Sequence, residues 1–505
     1  MTPTPGDIFA SYNARLDAYT AVQVTQLKAD SKRPQVAVLT LDWIGKALPT
    51  EREVEAMKPK SFDFFFWNDH FDHCWVSLPV PPACTLVGNR EPMYQEAVNS
   101  YSGWPRGYTL YSQQKWDARP KESRDRFKAA AKTRDKTPVV TLGDVTLNRS
   151  SQRINGESLE MAGDLSVFDA LPLLTNVTTD RPIPGLFDFL RKHSFVYEAD
   201  LRNHGETCVD LRGTYLTRLN IDITGVTELR LNDGLDYLSL QGEPNPGLRI
   251  HAEADGRWLT LGTENPDMPW SGLDALDGLH VRQGREIDVA KLVTRFPALS
   301  ELRCWGAPGH VRNMAALTAL TGLQTLTLYD IFGFEPEDIP APSNFPKLRM
   351  FWLTSIPADA AAAIKKSYKP ATINGLDLQV RQPRKPEWLA ANLDNPFRNW
   401  DDTEGITSAQ AKKAATLYKT ARTDALKLAG ETDALAALSP VVLAYTEAFN
   451  KMDSRGNFIH TDEREQIFDA LMNILEAVDE KRVATGAAPV DRDALIEVMD
   501  KVRDF

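Results

Sequence analysis

Cysteine is scarce in this chain: Cys74, Cys84, Cys208 and Cys304 are the four, and no C-x-x-C pair occurs among them. That excludes a disulfide framework and predicts reduced thiols in a cytoplasmic protein. No run of eighteen apolar residues exists, so no membrane-spanning helix is expected. The opening segment, MTPTPGDIFASYNARLDAYT, has neither the basic start nor the continuous apolar stretch of a secretory leader, and none is expected. Basic runs are missing as well. With 58 Lys and Arg against 69 Asp and Glu, the formal charge is −11, the wrong sign for a stripe that follows nucleic acid.

Catalytic signatures are equally absent. The chain contains no G-x-S-x-G, no P-loop, no G-x-G-x-x-G and no H-E-x-x-H. No catalytic residue, metal ligand or cofactor is therefore expected, and the balance is against an enzyme. What remains is an ordinary globular composition, 42% hydrophobic and 25% charged. A length of 505 residues implies about three domains at roughly 150 residues each.

The informative feature is a repeat. Between Leu216 and Leu353 the pattern Φ-x-x-Φ-x-Φ, with Φ apolar, is written seven times. The last four copies are Leu276-Asp-Gly-Leu279-His-Val281, Leu299-Ser-Glu-Leu302-Arg-Cys304, Leu323-Gln-Thr-Leu326-Thr-Leu328 and Leu348-Arg-Met-Phe351-Trp-Leu353. Their first residues lie 23, 24 and 25 positions apart. Each Φ-x-Φ reads as a short strand with alternate side chains buried, and the preceding Φ turns the chain into it. One coil cannot bury its own apolar face, so neighbours stack and share a core. Earlier copies at Leu216, Val226 and Leu235 are only ten and nine residues apart, which predicts tight coils with no helix on the return. Residues 289–294 and 314–320 are expected to form helical turns.

This core and period resemble the leucine-rich repeat class, over roughly residues 216–353. The resemblance implies a solenoid that serves as a binding scaffold, with function on its variable surface. The asparagine that usually follows the strand in that class is missing here, so the repeats are divergent. Some bacterial effectors join such repeats to a helical ubiquitin ligase that works through a cysteine thiolate. The last cysteine here is Cys304, so the C-terminal helices carry no thiol for that chemistry.

The flanks resemble no known family. Residues 1–135 read as a mixed α/β module: an amphipathic helix over 6–28, a strand over 35–43, a short aromatic strand over 62–67 and a charged helix over 121–135. Residues 136–380 hold a lead-in and the solenoid. In the lead-in, Val145–Leu147 and Leu159–Met161 are expected to pair as a hairpin about Asn155-Gly156, with a helix near 185–193 after it. Residues 381–404 have the proline and charge content of a linker or docking strap. Residues 405–505 read as a helical bundle, with helices starting at Ser408, Ser439-Pro440, Thr461 and Asp491. The fold class is thus α/β, a divergent leucine-rich-repeat solenoid between an N-terminal α/β module and a C-terminal bundle.

Alternation along a strand places the residue between the last two Φ, and the one after them, on the outward face. The first such row is Asn220, Arg230, Ser239, His280, Arg303, Thr327 and Trp352. The second is Asp222, Asn232, Gln241, Arg282, Trp305, Tyr329 and Thr354. The C-terminal end therefore gathers His280, Arg282, Arg303, Trp305, Tyr329 and Trp352 as a candidate partner-binding set, since Trp, Tyr and Arg dominate binding hot spots. Cover by another part of the same chain is the competing explanation. Two other clusters are weaker. Asp69-His-Phe-Asp72-His73-Cys74 reads as polar strand residues rather than a metal site, because alternation splits its ligands between two faces. Asp453 to Glu463 resembles an EF-hand loop, but it is one residue short, carries Arg455 at an acidic position and has its glycine too early; it reads as a helix connection. The function expected is a non-enzymatic protein-binding scaffold of bacterial type, with toxin neutralisation or immunity as one use. The alternative is an enzyme with its active site in residues 30–135 and the solenoid selecting a protein substrate.

Overall fold

The computed structural model describes residues 2–28, 34–133, 135–265, 267, 269–403, 405–454 and 457–505. The chain divides into two compact units: Met1–Leu353 with Ala362–Gln379, and Thr354–Ala361 with Val380–Phe505. It is a mixed α/β protein with a long parallel sheet and many helices. Among the described residues, no helix is long and apolar enough to cross a membrane.

The first unit opens on strands rather than the expected helix over 6–28. Asp7–Asn13 and Ala18–Lys28 pair antiparallel, with Phe9 opposite Val22, and the turn between them is closed by Asp17 at φ 47°. The segment carries both periodicities, but Thr20, Val22, Val24 and Thr25 are β-branched and fit a pleated surface better than a helical turn. Strands Gln35–Gly45, His73–Ser77 and Cys84–Asn89 complete a five-stranded antiparallel sheet. It is buried on both sides. Phe9, Val22, Val24, Val38 and Val76 face one core, and Ile8, Ala21, Leu39 and Leu41 the other. The aromatic run after Ser61–Phe62 leaves the strand at once: Phe65 sits at φ 45° and its ring packs on Phe127, Phe195 and Tyr197 instead. The charged helix is present as Lys121–Thr133, with Phe127 buried beneath it.

The hairpin expected about Asn155-Gly156 is not there. Asn155 accepts the backbone N–H of Ser158 and caps the helix Gly156–Ala162, while the hairpin is Pro138–Leu142 with Val145–Asn148, turning at Gly143 with φ 56°. An Asn cap satisfies a free helix donor, and that use of Asn competes with the turn.

An eleven-stranded sheet then runs from Arg153–Ile154 to Asp377–Arg381. Its residues stack in register in parallel pairs: Ile154, Val177, Ala199, Leu219, Leu238, Leu261, Leu279, Leu302 and Leu326 stand side by side, each partner the next. Every one is 3% exposed or less, so the row is a continuous core. The intervals are 23, 22, 20, 19, 23, 18, 23 and 24 residues. The repeat therefore begins some sixty residues earlier than the leucine pattern indicates. The expected burial of Leu279, Val281, Leu302, Cys304, Leu326, Leu328, Phe351 and Leu353 is met, none being more than 2% exposed.

The tight coils resolve differently from expectation. Strands Cys208–Asp210, Glu228–Arg230 and Arg249–His251 form a separate parallel sheet, with Val209 beside Leu229 and Leu229 beside Ile250. Spacings of nine and ten residues are thus half-coils. One half contributes to the long sheet and the other to the second sheet, and the full period is again about twenty. Arg230 consequently lies on the second sheet, away from the row of His280 and Arg303. Asn232 is 2% exposed, and its Nδ2 donates to the Leu216 carbonyl at 2.8 Å, so it is a structural asparagine and not a surface residue. In later coils short helices replace the second sheet, at Val289–Arg295 and Met314–Ala319.

The second unit is a helical bundle around Tyr418, Leu438, Phe449, Ile467, Leu475 and Leu495. Its helices are Ser408–Leu428, Ala434–Asp453, Thr461–Ala484 and Arg492–Val502. The second begins five residues before Ser439, capped by Asp433, with Pro440 inside it; the Ser439 hydroxyl donates to the Leu435 carbonyl at 2.7 Å. The segment read as a strap contributes Phe397 and Trp400 to this core, each 1% exposed. Asp453 Oδ1 accepts the N–H groups of Phe458 and Ile459, both at 2.8 Å, which occupies the oxygen that opens the calcium-like loop. Arg455 and the glycine after it lie outside the described residues.

Candidate binding face

The site is built from consecutive strands Gly278–Asp288, Glu301–Arg312, Thr325–Phe332 and Met350–Thr354. On each, apolar residues point into the core and the alternate ones outward. Register then decides which outward residues are neighbours. His280 stands beside Arg303, Arg303 beside Thr327 and Trp305 beside Tyr329. Trp305 and Tyr329 are 38% and 37% exposed, whereas Cys304 and Leu328 just before them are buried.

Charge is organised around Glu301. Its Oε1 accepts from Arg303 Nε at 2.8 Å and pairs with His280 Nε2. Burial pushes the Glu301 carboxyl up, but His280 and Arg303 outweigh it and hold the group below its ordinary 4.5. The pairing holds Arg303 and the imidazole, whose ring lies 6.3 Å from Trp305 and 5.9 Å from Tyr237. Arg218 in turn lies over Tyr237 at 5.4 Å. Arg282 reaches across the face, its Nη2 donating to Ser239 Oγ at 2.6 Å, while its buried Nε meets no hydrogen-bond partner. Gly262 makes room for the Tyr237 ring beside this arginine: a Cβ there would meet Tyr237 Oη at 2.5 Å. Trp352 is partly covered and donates from Nε1 to Asp377 at 3.0 Å.

Five of the six expected residues, His280, Arg282, Arg303, Trp305 and Tyr329, therefore lie on adjoining strands, with Trp352 on the strand beyond. Sequence reasoning missed Glu301 and Tyr237, which organise the cluster. Both occupy the outward position before the first strand Φ, one alternation step earlier than the two rows considered, so the same periodicity extended by a step would have found them.

Cover from the N-terminal module falls elsewhere, on the turns where the chain enters the strands. The Arg15 guanidinium is held by the Asp236 carboxylate and by the Trp258 carbonyl at 2.8 Å, with Tyr111 and Trp258 flanking it at 5.3 and 5.8 Å. Lys115 Nζ donates to the Gly234 carbonyl at 3.3 Å. Arg119 is 5% exposed among Phe65, Trp116, Phe195 and Tyr215, and burial brings it down to about 10. These contacts lie on the strand-entry side of the sheet, and Trp305 stays 38% exposed.

The other clusters are committed locally. His73 Nε2 bonds Thr25 Oγ1 at 2.7 Å, and Asp72 Oδ2 accepts from Thr40 and Thr109 at 2.9 and 2.6 Å. Burial raises the Cys74 and Cys304 thiols to about 12, which makes both poor nucleophiles.

No protein-family model matches the chain, and no curated protein does. Among solved structures, a similar chain is an internalin from Listeria monocytogenes, a leucine-rich repeat protein. It is 12% identical, with 42% of this chain and 83% of the internalin covered at a TM-score of 0.18. A likeness at that score leaves the functional reading to the geometry above.

Proposed function

We propose that the long sheet is the inner wall of a leucine-rich-repeat-type solenoid, and that its Arg, Trp and Tyr end grips another protein. The pairing of Trp305 with Tyr329 carries this reading: two large aromatics at matched positions of neighbouring strands, both exposed, beside guanidiniums already immobilised by Glu301 and Ser239. Such groups bring large contact area at little further entropic cost, which is what binding hot spots require. Neutralising a toxin is one task that such a face would serve. The enzyme alternative has less support. A cleft of about 820 Å³ beside the N-terminal sheet has Asp72 as its carboxylate, and two threonine hydroxyls already occupy one of its oxygens.

The test is affinity purification from the native cell with wild type and with Trp305→Ala/Trp352→Ala, both checked by circular dichroism. Loss of a specific protein from the variant's eluate, with folding intact, supports the reading. Identical eluates sink it, and the aromatics would then be packing residues.

A further inference from the structure

A second cleft meets this face only at Asp377, the acceptor of Trp352, and does not rest on the role of the face. Against the strand-entry edge, the turn 77–83 of the N-terminal module, the segment 346–349 and the turn 372–378 enclose a cleft of about 920 Å³, within the size range of small-molecule sites. Its walls are largely apolar, including Pro79, Val80, Leu348 and Leu376. The walls are held close by Gly375, at φ 95°, where a Cβ would meet Pro79 Cγ at 2.6 Å.

Three cations line the cleft, Arg106, Lys347 and Arg349. Neither guanidinium has a hydrogen-bond or ion-pair partner among the described residues, in a chain whose formal charge is −11. Burial depresses Arg349 below the ordinary arginine value, and the neighbouring charge of Arg106 depresses it further. The carboxylate at the rim, Asp377, is engaged by Trp352 Nε1 at 3.0 Å. Arg106 is exposed and Arg349 half-buried, so water solvates both charges in the free protein, and Asp277 lies within electrostatic reach of Arg106. A ligand anion spanning both would gain charge-assisted hydrogen bonds from two guanidiniums that have no such partner among the described residues.

We propose that this cleft binds a small apolar molecule carrying a carboxylate or another oxyanion, with Arg106 and Arg349 holding the anion and the proline and leucine wall holding the apolar part. Contact with both walls distinguishes such a ligand from a bare anion and from a neutral lipid.

The full chain is titrated with 1-anilinonaphthalene-8-sulfonate, a ring system bearing one sulfonate, and binding is read by fluorescence. One saturable site is expected, weakened at least about tenfold in Arg106→Gln/Arg349→Gln. The charge-conserving Arg106→Lys/Arg349→Lys should retain most of the affinity, and Ala83→Trp, which fills the cleft with both arginines kept, should abolish it. Decanoate should displace the probe, and neither decanol nor inorganic phosphate should do so at equal concentration. The proposal is overturned by an absent saturable signal, by full affinity in the Gln double variant or in Ala83→Trp, or by displacement with decanol or phosphate as effective as with decanoate.

Discussion

The two halves of the long sheet solve the same packing problem in different ways. Around Leu219, Leu238 and Leu261, each coil is backed by a second strand, and Val209, Leu229 and Ile250 form a parallel ladder of their own. Around Leu302 and Leu326 the backing is a short helix or 3₁₀ turn. The strand-backed intervals are 20, 19 and 23 residues and the helix-backed ones 23 and 24, so the two kinds of backing fit overlapping lengths of chain. The outward faces differ too. The first half presents Glu198, Asp200, Asn220 and Asp222 beside Arg218 and Tyr237; the second presents Glu301, Arg303, Trp305 and Tyr329. The proposed partner face takes its exposed aromatics, Trp305 and Tyr329, from the helix-backed half, while Tyr237 and Ser239 of the other half support His280 and Arg282.

The sharpest way to break the comparison is to cut each core. Leu326→Ala in the helix-backed half and Leu229→Ala in the strand-backed half should each cost about 2–5 kcal/mol through transfer and cavity terms. Urea unfolding of each should keep a single transition for the first unit if the halves share one core. A separate early transition in Leu229→Ala alone would show that the strand-backed coils are an independent element.

Asn232→Ala should cost about 1–3 kcal/mol, because the Leu216 carbonyl loses its side-chain donor in a buried place. Here the effect belongs to the strand-backed half only, and a thermal melt unchanged from wild type would return Asn232 to the surface.

Acid separates the halves more finely. The Glu301 pKa is depressed on folding, so its contribution is present above the ordinary 4.5 and is lost as the pH falls through the folded value. Asp210, on the second sheet, is drawn down to about 2, chiefly by the hydrogen bonds of Arg212, and its contribution persists to more acidic pH. Melting temperatures followed downward through the carboxylate range should show Glu301→Gln and Asp210→Asn flattening different parts of the acid limb, the Asp210 variant the lower part. Coincident curves would mean that the partners do not hold these groups as described.

The smallest perturbation is covalent labelling. Cys208, exposed on the second sheet, should react with iodoacetamide under native conditions well before buried Cys304, whose thiol is raised to about 12. Equal rates by mass spectrometry would place Cys304 in an accessible coil.

The helix-backed half was legible in the sequence because each of its coils has a full Φ-x-x-Φ-x-Φ and a long return. The strand-backed half misled because both of its sheets use the same leucine pattern; Leu219 and Leu229 look alike as letters, and only pairing distinguishes their sheets. Coils earlier than Leu216 were silent: their core positions are Ile154, Val177 and Ala199, without the leucine signature. Asn155 and Pro440 illustrate a different failure, in which a residue with two common uses took the one its neighbours allowed. At the candidate face the aromatic and arginine residues were legible from alternation. The role of Glu301 was not, since it depends on His280 and Arg303 meeting across two strands.

The central claim is that affinity resides in one half of the face, and it is tested most directly by equilibrium binding of the protein recovered by affinity purification. Trp305→Ala and Gln241→Ala, matched outward positions in the two halves, are compared side by side at equal folded fraction. A loss of about thirtyfold, roughly 2 kcal/mol, is predicted for Trp305→Ala, with Gln241→Ala unchanged. Wild-type affinity in Trp305→Ala, or an equal loss in both, would contradict it.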